Sequence, residues 1–175
     1  MRGRKSPLFI AMITKDLVRK LAEERIMERD ERIFIVDLSI SPSNIIRLEI
    51  DKTEGNVTIE DCVSVSRNVE HNLDREAVDF ELHVSSAGID KPLRVFKQYP
   101  KNIGRDLEVV TKDKIKKTGT LVEVDEQKLV LMSTEKRPVL NADGTPHPKK
   151  KEVVEIKEEV MFSNIKEAKI VISFK

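Results

Sequence analysis

Two serines ahead of a glycine, Ser85-Ser86-Ala87-Gly88, are the first residues whose types and spacing could do chemistry. A serine nucleophile on a strained turn needs a glycine on each flank, a base within reach and an oxyanion hole. Val84 and Ala87 stand where those glycines would be. His83 is next to Val84 on an apparent strand and so points to the opposite face, while His71 falls in the middle of a predicted helix. Serine catalysis is therefore not expected. Cys62, His71, His83 and His147 show no spacing that a zinc site uses. The glycines at 55, 88, 104, 119 and 144 are scattered, so neither a phosphate loop nor a dinucleotide fingerprint is present. A protein that is not an enzyme, with no metal and no cofactor, is the expectation.

Binding is the remaining use for these residues. In "VSSAGIDKPLRVFKQY", residues 84–99, a strand gives way to a glycine and a proline and resumes as something helical. Gly88 permits a backbone angle that other residues resist, and Pro92 fixes the next turn. Asp90 and Lys91 are charged groups held between them. Such a joint offers exposed polar groups on a stiff support, so Ser85, Ser86, Gly88, Asp90, Lys91 and Pro92 are candidate partner-binding residues. A second set consists of Lys112, Lys114, Lys116 and Lys117 around a hairpin, with Lys149, Lys150 and Lys151 in a long polar segment, "NADGTPHPKKK". Lysines so grouped can neutralise phosphates. No aromatic residues are interleaved with them, so sequence-specific reading of single-stranded bases is not expected.

Composition narrows the partners. Charged residues make up 36% of the 175-residue chain and aromatics 4%, yet 39% is apolar, which gives a highly charged globular protein rather than a disordered polymer. One cysteine, Cys62, cannot form an internal disulfide and suits a reducing compartment. The apolar run from Leu8 to Ile13 is too short for a signal peptide, and no segment has the length of a membrane span, so a cytoplasmic monomer is expected. Met12 is an alternative start. The net charge of +1 hides an asymmetry. Residues 12–92 carry 11 Lys/Arg against 18 Asp/Glu, a net of −7, whereas 93–175 carry 18 against 13, a net of +5. An acidic first half points to a basic protein partner there.

Elements must position these groups. Ile13, Leu17 and Leu21, widened by Val18 and Ala22, predict a helix over 14–29. "RIFIVDLSI" and "IIRLEID", separated by "SPSN", predict an antiparallel strand pair. Thr58 with Asp61 three residues later predicts a capped helix over 59–73, with Ile59, Cys62, Val63, Ser66, Val69 and Leu73 on its buried side. "DFELHVSS" then adds a third strand. After Pro100 the texture changes to "DLEVVT", "TGTLVEVD", "KLVLMST", "EVVEIK" and "AKIVISFK", five short strands that suggest a small barrel. "DEQ" reads as a tight hairpin turn, and "NADGTPHPKKK" as a mobile tip or loop over 141–151. The expected class is α+β. A disordered extension (1–11) precedes an N-terminal α/β domain (12–92), whose three-stranded sheet carries two helices on one face, and a C-terminal all-β barrel domain (93–175) follows.

Two stretches resemble a known family. "VTIEDCVSVSRNVEHNLD" (57–74) followed by "FELHVSSAGIDKPL" (80–93) resembles the ribosome maturation factors of the RimP family, through a D-C-x-x-x-S helix and a strand ending in V-S-S-P-G-L-D-R-P-L. Asp61, Cys62, Ser66, Leu73 and Asp74 match the first element, and Leu82, Val84, Ser85, Ser86, Gly88, Asp90, Pro92 and Leu93 the second. Ala87 replaces the usual proline, Ile89 the leucine, Lys91 the arginine and Phe80 a frequent tyrosine. Lysine for arginine keeps the charge and loses a bidentate fork. The resemblance implies an SH3-like C-terminal barrel and a non-enzymatic factor for maturation of the 30S subunit, released before translation. The implied partners are the immature 30S particle, a basic small-subunit ribosomal protein of the decoding centre and 16S rRNA. The alternative is a general RNA-binding module acting through the basic C-terminal half.

Overall fold

The computed structural model describes residues 12–172, so the extension expected at 1–11 lies outside the described residues. The chain divides after Gly88 into two compact units.

The first unit opens with α1 (Lys15–Arg29), whose N-terminus is capped by the Thr14 hydroxyl accepting from the Leu17 amide at 3.2 Å. Strands β1 (Ile33–Ile40) and β2 (Ile45–Lys52) pair antiparallel, as expected, with Val36 as an extra residue in β1 where the register shifts. Helix α2 (Ile59–Asn72) follows, and β3 (Glu81–Ser86) then pairs with β2 in parallel, giving the order β1-β2-β3. Ile46, Leu48 and Ile50 alternate along β2, so all three face one side, and each is fully buried. Val18, Leu21, Ala22 and Ile26 of α1 and Val65 and Val69 of α2 close over them in a single core.

The buried stripe of α2 differs from the one its apolar pattern predicts. Asp61, Val65 and Val69 face the core, whereas Ile59 is 80% and Val63 40% exposed; Cys62 is only half-buried. The cause is the carboxylate. Asp61 occupies a core-facing position because cationic and backbone donors satisfy it there, and the helix is rotated by about one residue from the face that hydrophobicity alone selects. In α1, likewise, Leu17 is 38% exposed and Ile26 takes its expected place in the core.

The second unit is all β after two single 3-10 turns, Phe96–Gln98 and Pro100–Asn102. Its strands are β4 (Asp106–Thr111), β5 (Lys116–Val124), β6 (Lys128–Leu140), β7 (Pro146–Met161) and β8 (Ile165–Ile170), antiparallel in the order β7-β6-β5-β4-β8. An SH3-like closure is not part of this pairing among the described residues. Tyr99, Leu107, Val109, Leu121, Leu129, Leu131, Val160 and Ala168 form the core, and Phe162 meets Tyr99 edge-on at 5.0 Å. The final strand starts at Ile165, earlier than the sequence pattern suggests, because a 3-10 turn at Phe162–Asn164 delivers the chain directly to β4.

The segment expected as a mobile loop over 141–151 is mostly strand. β6 and β7 continue as a long hairpin, and only residues 141–145 turn. Pro146 and Pro148 masked the strand in the sequence, yet both lie on β7, an edge strand, where a missing donor costs no ladder bond; Pro138 lies on β6 beyond Met132, where β5 no longer pairs with it.

Three hairpins share one turn geometry: Ser41 to Ile45, Thr111 to Ile115 and Asn141 to Thr145. In each, the first residue's amide donates to the fifth residue's carbonyl, and the fourth residue's amide donates to the first's carbonyl. The fourth residue must then take a positive φ, which is 59° at Asn44, 66° at Lys114 and 84° at Gly144.

Candidate functional site

The two motif-bearing stretches meet in the first unit, where α2 packs beside β3. Between them lies an open groove of about 720 Å³, with Ile59, Cys62 and Val63 on the helix side and Leu82, Val84 and Ser85 on the strand side. Ile59, Cys62 and Val63, which the sequence assigns to the buried face of α2, thus line this groove, whereas Val69 and Leu73 are in the core as expected. Arg67 and Glu70 supply its charged rim. β3 pairs only with β2 among the described strands, so its outer edge presents unpaired backbone donors and acceptors next to the groove.

The motif residues divide by the work they do. Asp61 is structural. Its Oδ1 accepts from Arg29 Nε at 2.8 Å, and its Oδ2 accepts from Lys52 Nζ at 2.8 Å and from the Thr58 amide at 2.9 Å, while its own amide donates to Thr58 Oγ1. This capping box fastens the start of α2 to the ends of α1 and β2. Burial alone would raise the Asp61 carboxyl's pKa. The bonds from Lys52, Thr58 and Arg29 outweigh it and hold the carboxyl well below the usual carboxylate range. Lys52 also reaches Asp30 at 3.4 Å, and its ammonium is held above its ordinary pKa chiefly by Asp61. Leu73 is buried in the core, and Asp74 Oδ1 accepts the Glu76 and Ala77 amides to turn the chain toward β3. Arg75 secures that turn from 4.2 Å above the Phe80 ring, donating to Phe80 O and Glu70. Leu93 packs against the second unit's core and donates its amide to Ala168 O at 2.8 Å.

Other motif residues lie at or near the surface. Ser85 and Ser86 are exposed at the end of β3, and among the described residues their hydroxyls make no hydrogen bond. No base activates either one; His83 lies 3.4 Å from Glu81 instead. Asp90 and Lys91 are both exposed, Pro92 is half-buried, and Ile89 is 50% exposed. Gly88 is not among the positive-φ positions of the described residues, which are Asn44, Gly55, Gly104, Lys114 and Gly144. The left-handed conformation that motivated interest in Gly88 is therefore absent from it.

The seven lysines do not form one patch. Lys116 is 3.3 Å from Glu108 and Lys117 is paired with Glu158, which leaves Lys112 and Lys114 at the tip of the β4–β5 hairpin without a carboxylate partner among the described residues. Lys149, Lys150 and Lys151 lie on β7, roughly 23–30 Å along the strand from Glu158 at ~3.3 Å per residue. No helix among the described residues is long and apolar enough to cross a membrane, and no cluster of His, Cys, Asp and Glu there has the grouping of a metal site.

A family model described as the RimP N-terminal domain matches residues 21–90, a span that contains both α2 and β3. A protein named Ribosome maturation factor RimP from Christiangramia forsetii is 41% identical over 161 residues, covering 91% of this chain and 99% of its own length. The chain belongs to the RimP family. A RimP of the same printed name from Flavobacterium psychrophilum is 36% identical over 163 residues, 93% of this chain and all of that protein. One from Porphyromonas gingivalis is 40% identical over 91 residues, about half of this chain. RimP proteins are non-enzymatic assembly factors.

Sequence reasoning missed the Arg29–Asp61–Lys52–Asp30 network and the open face of α2. The signal for the first was half visible, since the Thr58–Asp61 spacing marks the cap. Nothing in one sequence ties Lys52 and Arg29 to it.

Proposed function

We propose that this chain is a maturation factor for the 30S ribosomal subunit, acting in the cytoplasm by binding the immature particle and leaving before translation. The first unit docks a basic ribosomal protein, the one that comes to line the decoding centre, and the exposed Ser85 and Ser86 border that contact with Gly88; Asp90, Lys91 and Pro92, in the second unit, are proposed as a partner contact of their own. The single observation that carries this reading is the meeting of both family motif stretches at one open apolar groove beside an unpaired strand edge. A groove of this kind takes an extended protein segment, whose backbone adds to the sheet while alternate side chains fill the hollow. The net charge of −7 over 12–92 supports a basic partner. Lys112 and Lys114, with Lys116 and Lys117 behind them, are proposed contacts to 16S rRNA.

No bond is made or broken in this role. A factor that binds an assembly intermediate more tightly than the finished particle shifts the population toward the intermediate's productive conformation, by as much as its two affinities differ. The test is co-sedimentation of the full chain with immature 30S particles, mature 30S subunits and 70S ribosomes at low and moderate salt. Preferential association with immature particles that survives moderate salt is expected. Binding to all three at low salt and to none at moderate salt would favour the general RNA-binding module instead.

A further inference from the structure

We infer that the outer half of the β6–β7 hairpin is an RNA-binding arm whose unpaired lysines contact the phosphate backbone of folded RNA. β6 pairs with β5 only as far as Met132, and β7 pairs with β6 alone. From Ser133 to Leu140 the ribbon therefore has two strands and no third, over about 23 Å at ~3.3 Å per residue. Residues 134–138 and 148–153 are exposed throughout, and Leu140 and Val153 are 65% and 62% exposed. A two-stranded ribbon with no core beneath it gains little by folding alone, so its length calls for a partner.

Charge pairing changes along the ribbon. At its base Lys117 is paired with Glu158 and Lys128 with Glu159. Farther out Arg137 is held by Glu135 at 2.9 Å, but Lys136, Lys149, Lys150 and Lys151 have no carboxylate within ion-pair distance among the described residues. The register places Pro138 opposite Lys151 and Leu140 opposite Pro146, so β7 uses five residues where β6 uses two. This bulge is held by His147, whose Nδ1 accepts the amides of Lys149 and Lys150 at 3.1 and 2.9 Å. It thereby fixes the backbone of Lys149 and Lys150 at the bulge. Lys136 lies opposite Val153 and shares a face with Lys151, while Arg137, opposite Glu152, is on the other face. Lys136 and Lys151 thus put unpaired cations on one face of the ribbon, whereas Arg137 on the other is already matched by Glu135.

The occupant is RNA rather than protein. Between Ser133 and Lys157 there is no Phe, Tyr or Trp, which removes both the stacking platforms of single-strand binders and the aromatic anchors of protein interfaces. What remains is six Lys/Arg against four Asp/Glu over 133–157, a net of +2, with Lys136, Lys149, Lys150 and Lys151 outside ion-pair distance of a carboxylate among the described residues and so available to a phosphate backbone.

The inference rests on the ribosomal reading only for which RNA the arm meets in the cell, and the arm is tested apart from it. Binding to in vitro transcribed 16S rRNA is measured against salt concentration for the full chain and for a variant carrying Lys136→Gln, Lys149→Gln, Lys150→Gln and Lys151→Gln. A second variant replaces residues 136–153 with Asn-Gly, joining the paired residues Glu135 and Val154 and leaving the core residues Leu129, Leu131 and Val160 in place. Loss of four phosphate contacts should flatten the log–log salt slope by about 3 and weaken binding at least about tenfold near ~0.1 M salt. An unchanged slope and affinity in either folded variant would overturn the arm. If rRNA binding depends on the four lysines but the chain shows no preference for immature particles, the arm stands and the 30S reading falls.

Discussion

Replacing Asp61 by Asn tests whether the family motif's aspartate is a structural residue. The substitution keeps size and removes charge. It leaves Lys52, whose side chain is 10% exposed, with only Asp30 at 3.4 Å, and it deprives Arg29 of its partner. Breaking a buried ion pair from one side costs about 3–5 kcal/mol, because a charge stays behind without compensation. Arg29 is about one-third exposed and Lys52 keeps a second carboxylate, so the lower end, about 3 kcal/mol, is expected. In a unit of this size that corresponds to a fall of roughly 15 °C in the midpoint of the first unit's transition. Urea unfolding followed by circular dichroism measures it.

The pH dependence supplies an independent check. The Asp61 carboxyl has a lower pKa folded than unfolded, so its contribution is fully present above the unfolded value of about 4 and is lost as pH falls below it. The gap between parent and Asp61→Asn should therefore narrow on acidification. Lys52→Met combined with Asp61→Leu should cost less than Asp61→Asn alone, since an apolar pair leaves no stranded charge. A loss below about 1 kcal/mol for Asp61→Asn, or a gap independent of pH, would refute the proposed role of the network.

Three further outcomes are expected. Lys114 occupies the left-handed position that Asn44 and Gly144 fill in the sister hairpins, so Lys114→Gly should stabilise the second unit by about 0.5–1 kcal/mol, and a loss of stability in chemical denaturation would contradict that turn. Gly119 is buried, and a Cβ there would lie 2.9 Å from Met132 O and 3.2 Å from Leu131 Cβ. Gly119→Ala should therefore destabilise by about 1–3 kcal/mol, whereas an unchanged melting midpoint would show that β6 can move aside. Burial raises the Cys62 thiol's pKa, so alkylation at pH 8 should be slow in the folded chain and fast in urea; equal rates would place the thiol outside the groove's inner wall.

Much of the architecture was legible because the apolar periodicities are clean. Ile46, Leu48 and Ile50 alternate as a half-buried strand should, and the Thr58–Asp61 spacing gave the start of α2. The rotation of α2 was not legible, because a buried aspartate looks polar until Lys52 and Arg29 are brought to it from 9 and 32 residues away in sequence. That rotation matters for function, since it turns Ile59 and Val63 from core residues into the wall of a groove. The β6–β7 ribbon was hidden for the opposite reason. Two prolines, Pro146 and Pro148, and a run of lysines read as loop, and only the pairing partner across the hairpin makes them strand.

The most direct test of the central claim is the affinity of the full chain and its Val63→Arg variant for immature 30S particles. Val63 is 40% exposed, so the arginine can extend into solvent and the melting midpoint should hold. If a ribosomal protein docks in the groove between α2 and β3, the variant binds immature particles at least about tenfold more weakly, the scale of one or more lost interface anchors. Equal affinity of parent and variant, with both folded, would contradict the groove as the docking site.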